Sequence, residues 1–189
     1  MNVEDGNLSG QLLIAMPQMG DFRFDRSVVY MCAHSDEGAM GLIVNKPARS
    51  VDFADLLKQL EITMHEQISP VQVHVGGPVE NARGFVLHTK DYQSGAGTLT
   101  VSERIAMTAT MDVLEDIARG QGPEMSMLAL GYAGWGPGQL ESEIAQNGWL
   151  TCDATDEILF GLSHDSKWTA ALNRLGVDPL LLSDVAGHA

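Results

Sequence analysis

The sequence predicts a single α+β domain, on three observations: β-rich runs come in pairs, helices stand singly between them, and no linker or repeat divides the chain. Its 189 residues, 44% of them hydrophobic, can bury a core without disulfide staples. The expected domain covers residues 1–189, with 1–9 and 183–189 as flexible ends.

The first apolar run, residues 11–16, reads as a short strand that Pro17 ends. A loop with Phe22 and Phe24 follows. Residues 27–33 (SVVYMCA) and 40–45 (MGLIVN) are rich in β-formers, and the polar stretch HSDEGA between them predicts a hairpin with a longer loop. Asp52 is placed to cap a helix in which Phe53, Leu56, Leu57 and Leu60 recur at i, i+3, i+4 and i+7. Val71, Val73 and Val75 then alternate with Gln72 and His74, the period of a half-buried strand, until Gly76-Gly77-Pro78 breaks it. A tight turn is expected there, with Asn81 or Gly84 in a permissive backbone conformation. Further strands are expected at 84–88, 98–101 and 105–108.

Thr110 is a good N-cap for a helix running to Arg119, with Val113, Leu114, Ile117 and Ala118 on its apolar side and Gly120 as terminator. Residues 125–130 read as a buried strand. Gly136-Pro137 then opens a helix with Leu140 and Ile144 toward the core, and Gly148 stops it. Residues 149–151 are strand-like. In the last helix Trp168, Ala171, Leu172 and Leu175 form the stripe, Asp165 is the expected cap and Gly176 the stop.

The opening residues MNVEDGNLSG lack the basic start and apolar run of a signal peptide, and no apolar run is long enough to span a bilayer. A cytoplasmic location is expected, with Cys32 and Cys152 as core thiols. The formal net charge is −14. Such a chain repels phosphate backbones and anionic membranes, so direct nucleic-acid binding is disfavoured unless Arg23, Arg26, Lys46 and Arg49 form an opposing patch.

Three segments carry chemistry. In residues 130–143, LGYAGWGPGQLESE, four glycines lie between a strand and a helix with Tyr132 and Trp135 interleaved. The spacing fits neither a phosphate-binding P-loop nor a dinucleotide fingerprint. Structural turn, ligand or partner pocket, and anion site all remain open for it. Gly76-Gly77-Pro78 with Arg83 and His88 is a second candidate rim. His34, Asn45 and Lys46 stand at strand ends, where binding groups can be displayed. No HExxH, paired-cysteine or G-x-S-x-G pattern occurs, so no metal, no cofactor and no catalytic set is expected.

The chain resembles the YqgE/AlgH family of bacterial proteins. The resemblance rests on residues 8–47 (LSGQLLIAMPQMGDFRFDRSVVYMCAHSDEGAMGLIVNKP), 75–88 (VGGPVENARGFVLH), 130–150 (LGYAGWGPGQLESEIAQNGWL) and the closing GHA. It implies an α+β fold whose mixed, bifurcated, barrel-like sheet is flanked by helices. It also implies a family without agreed catalytic residues, some of whose members are named transcriptional regulators. The expected function is a regulatory or adaptor role through an unidentified protein or small ligand, by a monomer or homodimer. The candidate contact residues are Asn45, Lys46, Arg83, Tyr132, Trp135 and Glu141, with His34 and His88 less favoured. The alternatives are an enzyme of unlisted class, for which a hydrolase with His34 or His88 as base is the named case, and a regulator that binds DNA directly.

Overall fold

A computed structural model describes residues 6–182; the flexibility expected of 1–5 and 183–189 concerns residues outside that range. In chain order the strands are β1 (Gln11–Ala15), β2 (Val28–Ser35), β3 (Gly38–Ile43), β4 (Val73–Val75), β5 (Val79–Thr89), β6 (Thr98–Thr100), β7 (Ile105–Thr108), β8 (Ser126–Trp135) and β9 (Trp149–Asp153). The helices are α1 (Phe53–Gln59), α2 (Met111–Ala118), α3 (Gln139–Ala145) and α4 (His164–Arg174). The chain divides into two compact units, Met1–Asn45 with Ala133–Ala189, and Lys46–Tyr132.

In the first unit the sheet runs β9-β1-β2-β3 and then the end of β8, antiparallel throughout. Alternation along β1 and β2 sends Leu13, Ala15, Val29 and Met31 to one face, where they pack with Trp135, Leu140 and Trp149. The other face receives α4, whose Trp168, Ala171 and Leu172 are buried against β1 and β2. The Trp168 indole also donates to the Ala15 carbonyl at 3.0 Å.

In the second unit the order is β6-β7-β5-β8, with β4 parallel to β8 on its far side. Helices α1 and α2 close one face through Phe53, Leu57, Val113, Leu114 and Ile117. The fold is thus α+β with a mixed sheet that forks at β8, as the resemblance implied.

Several local expectations need correcting. The β2–β3 connection is a two-residue turn at Asp36 and Glu37, not a longer loop, which places His34 inside a strand. Gly38 permits this close return, because a Cβ there would meet the Trp135 carbonyl oxygen at 2.5 Å. In β4 the alternation breaks: Val73 and His74 are both buried and Val75 is 43% exposed. The His74 ring is satisfied by the Leu128 carbonyl at 3.3 Å, which a solvent-facing reading did not foresee. At the Gly76-Gly77-Pro78 turn the left-handed residue is Glu80, at φ +48°, rather than Asn81 or Gly84.

Gly131 and Gly134 belong to β8, so the glycine-rich segment is mostly strand and its loop shrinks to residues 136–138. α3 begins after Gly138 (φ +72°), two residues past Pro137, and Asn147 (φ +60°) occupies the left-handed position after it. Thr110 sits at the cap of α2 without a side-chain bond to it. Ser163, not Asp165, is the cap residue of α4, and Leu175 is exposed. Both cysteines are buried free thiols, and burial pushes Cys32 up to about 12.

Candidate functional site

In the first unit, β2 carries His34 to a position beside α3. Its Nδ1 accepts the Leu8 N–H at 3.0 Å, so Nε2 carries the proton and donates to Glu141 Oε1 at 2.6 Å. The imidazole is enclosed, 7% exposed, and the carboxylate is open, 52% exposed. Glu141's own backbone N–H, and next the His34 ring, hold its carboxyl below the ordinary value. With both nitrogens engaged, His34 is a strut between strand and helix. The structure therefore brings together two candidates far apart in sequence.

Trp135 points inward. Its indole N–H donates to Glu143 Oε2 at 2.9 Å, and the Trp149 indole donates to the same oxygen at 2.8 Å. Gln139 donates to the other carboxylate oxygen at 3.1 Å, and the two indoles meet edge to face at 5.9 Å. Glu143 is thus the hub of this segment, and sequence reasoning missed it. The one available signal was the Gln139–Glu143 spacing of i, i+4 on a helix.

Asn45 is used inside the first unit. Its amide accepts the Val28 N–H at 2.8 Å and donates to the Arg26 carbonyl at 2.8 Å. Val44 N–H still reaches the Val28 carbonyl, but the returning ladder bond is replaced. The Val44 carbonyl instead accepts Lys167 Nζ at 2.8 Å, and the same ammonium donates to the Leu159 carbonyl at 2.8 Å. Lys167 is 2% exposed, and burial pushes it down to about 8. Its place four residues before Ala171, on the apolar stripe of α4, could have flagged it.

The second unit holds the other candidates. Lys46 is half-buried, its carbonyl accepting the Val75 N–H at 2.8 Å. Residues 80–83 bulge from β5 between the Val79–Tyr132 and Gly84–Leu130 pairs. Arg83 on this bulge lies 5.0 Å over the Phe85 ring and bonds Glu80 at 3.4 Å. Tyr132 meets Phe85 edge to face at 5.9 Å, so Arg83 and Tyr132 are brought together around one ring. His88 is fully buried: Nδ1 donates to the Thr89 carbonyl at 2.8 Å, and Nε2 accepts from Thr108 Oγ1 at 2.7 Å. Burial holds His88 below the usual histidine range. Among the described residues, no group of three or more His, Cys, Asp or Glu is placed to hold a metal ion.

Comparison with known proteins identifies the family. The model of the AlgH-like family matches residues 12–180. The chain belongs to that family. A UPF0301 protein of Cereibacter sphaeroides is 55% identical over 183 residues, covering 97% of this chain and 100% of its own. Another, from Ruegeria pomeroyi, is 58% identical over 184 residues, again covering 97% and 100%. The solution structure of the AlgH protein from Pseudomonas aeruginosa matches this AlgH-like chain with a TM-score of 0.78 at 43% identity, each chain covered in full. A Corynebacterium diphtheriae protein shares the fold, with a TM-score of 0.70 at 19% identity over 93% of this chain and 89% of that one. No helix among the described residues is long and apolar enough to cross a membrane.

Proposed function

We propose that this AlgH-like protein is regulatory or an adaptor, and that it acts by contact with a protein or small ligand rather than by chemistry of its own. The reading is carried by the pinned rim of the first unit. Beneath it Trp135, Trp149 and Gln139 hold Glu143, and His34 holds Glu141. Above it Gly136, Pro137, Gly138 and Glu141 are exposed. Rigid exposed groups on a buried support lose little freedom when a partner docks. In the second unit Arg83 and Tyr132 around Phe85 form a further contact surface, and Lys46 is a contact residue in its own right; Asn45 and Trp135 serve as supports.

Several side chains named for the alternatives are otherwise engaged. A general base needs a free lone pair facing substrate, whereas both His34 nitrogens are bonded and His88 has no exposed surface. Of the basic residues named for DNA, Arg23 pairs with Asp21 at 2.7 Å and Arg26 lies 5.3 Å over the Trp168 ring.

The test is a tagged full chain against the surface variant Pro137→Ala/Glu141→Ala, compared by quantitative co-purification from a bacterium that carries this protein. Trp135 is too deeply seated to serve as a probe. A partner retained by the wild type and depleted in the variant, with melting temperature unchanged, bears the reading out. Identical partner sets would dispose of it.

A further inference from the structure

A groove in the first unit, away from His34 and Glu141, points to a second binding site. After β9 the chain makes a π-helical turn, Glu157–Gly161, closed by the Leu162 N–H on the Glu157 carbonyl at 2.9 Å. Such turns leave a carbonyl outside the usual helical ladder and recur at functional sites. Here Lys167 takes the Leu159 carbonyl from inside, which fixes the turn against α4. Between the turn and the outer flank of α4 lies a groove of about 480 Å³, within the size range of ligand pockets.

Its lining is ordered along the helix. Ile158, Leu162 and Ala170 supply the apolar surface. Thr169 and Asn173, one helical turn apart, present a hydroxyl and an amide, and neither side chain hydrogen-bonds to any described residue. Asp165 stands near the start of α4 and Arg174 at its end, and Glu157 is also in the lining. From Asp165 to Arg174 the helix rises ~13 Å, a span that an extended chain covers in roughly four residues.

We propose that this groove binds an extended peptide segment about four residues long, with a cationic side chain at the Asp165 end and a carboxylate at Arg174. The Asn173 amide and the Thr169 hydroxyl meet the peptide backbone, each able to donate and accept. The apolar lining takes one aliphatic side chain between the charged ends. A ligand of single charge sign leaves one end of the groove unmatched.

The experiment titrates the full-length protein, followed by backbone amide NMR, with acetyl-Lys-Leu-Ala-Glu-amide and with its uncharged counterpart acetyl-Gln-Leu-Ala-Gln-amide. The charged peptide is expected to shift amides within residues 155–174 and to bind at least about fivefold more tightly, the worth of one well-placed ion pair. Arg174→Gln should erase the advantage of the peptide's Glu, and Asp165→Asn should reduce that of its Lys. Both positions are exposed, so the fold should survive either change. Equal affinity for the two peptides, shifts centred elsewhere, or no binding up to ~5 mM would each overturn the proposal. Because Pro137 and Glu141 are untouched, failure here leaves the contact rim standing, and loss of that rim leaves the groove standing.

Discussion

Glu143 shows how one side chain can settle the character of a whole segment. Its carboxylate is the shared acceptor of two indole N–H groups, so replacing it with leucine would leave both donors unpaired in a half-buried site. Glu143→Leu is expected to cost about 2–4 kcal/mol, whereas Glu143→Gln, which keeps an acceptor oxygen, should cost about 1 kcal/mol. Urea denaturation followed by tryptophan fluorescence checks the ordering, and equal losses would contradict the clamp. Ser27 is the reverse case. It is fully buried and its hydroxyl has no hydrogen-bond partner among the described residues, although its backbone N–H and carbonyl are both bonded. Ser27→Ala should leave stability unchanged or raise it by up to ~1 kcal/mol, since it removes an unsatisfied group. A loss above that size would mean the hydroxyl does have a partner.

At the scale of elements, Lys167 holds the join between β3, the π-helical turn and α4, and its affinity for a proton falls on folding. The unfolded lysine keeps its proton to about pH 10.4, while the folded one, desolvated, gives it up near 8. Between those values the unfolded chain binds more protons, so raising the pH favours the folded state. The neutral amine still has two N–H donors for the Val44 and Leu159 carbonyls. Lys167→Met should therefore destabilise at pH 7 by roughly 2 kcal/mol, because both carbonyls lose their partner. The gap between wild type and variant should widen by up to about 3 kcal/mol from pH 8 to 10.5. Chemical denaturation across that range measures it, and a constant gap would show that Lys167 titrates normally.

Backbone approach governs a second junction, where β5 bulges away from β8. Gly131 has φ +75°, and a Cβ there would lie 2.6 Å from the Gly77 carbonyl oxygen and 2.9 Å from that of Val79. Gly131→Ala combines left-handed strain with a backbone clash, and should cost about 2–4 kcal/mol. Gly138→Ala, with φ +72° but open space around it, should cost only the strain, ~1–2 kcal/mol. Thermal unfolding of the pair separates the two contributions.

For the whole molecule the governing quantity is the net charge of −14. Self-repulsion of that size destabilises a compact state and is screened by salt. Raising sodium chloride from ~20 mM to ~200 mM should lift the melting temperature by a few degrees, about 1 kcal/mol for a chain of this size. A fall would show that paired charges such as Arg23–Asp21 outweigh the repulsion.

How much was legible before the fold was known varied by the kind of feature. The stripes of α1, α2 and α4 were readable because helical periodicity is local: Phe53, Leu57, Val113, Ile117, Trp168 and Leu172 are all buried as their spacing required. Strand β4 misled because a three-residue strand has too few positions to show which face is covered, and His74 found its acceptor on another strand. The glycines of β8 were read as a loop because glycine marks close backbone approach in strands as well as turns. Of the candidate residues, Glu141 was ranked above His34, the residue that the fold bonds to it. The two lie 107 positions apart, and no local pattern links them.

The sequence by itself determined the α+β class, the apolar stripes of the helices and the charge, since these follow from composition and from periodicities a few residues long, while the family was legible through resemblance over whole segments. Only the tertiary structure decided that His34 braces Glu141, that Glu143 gathers two indoles, and that Lys167 reaches Val44 across 123 positions. Those meetings depend on strand register and helix docking, which bring distant polar groups within bonding distance only after the apolar faces have closed.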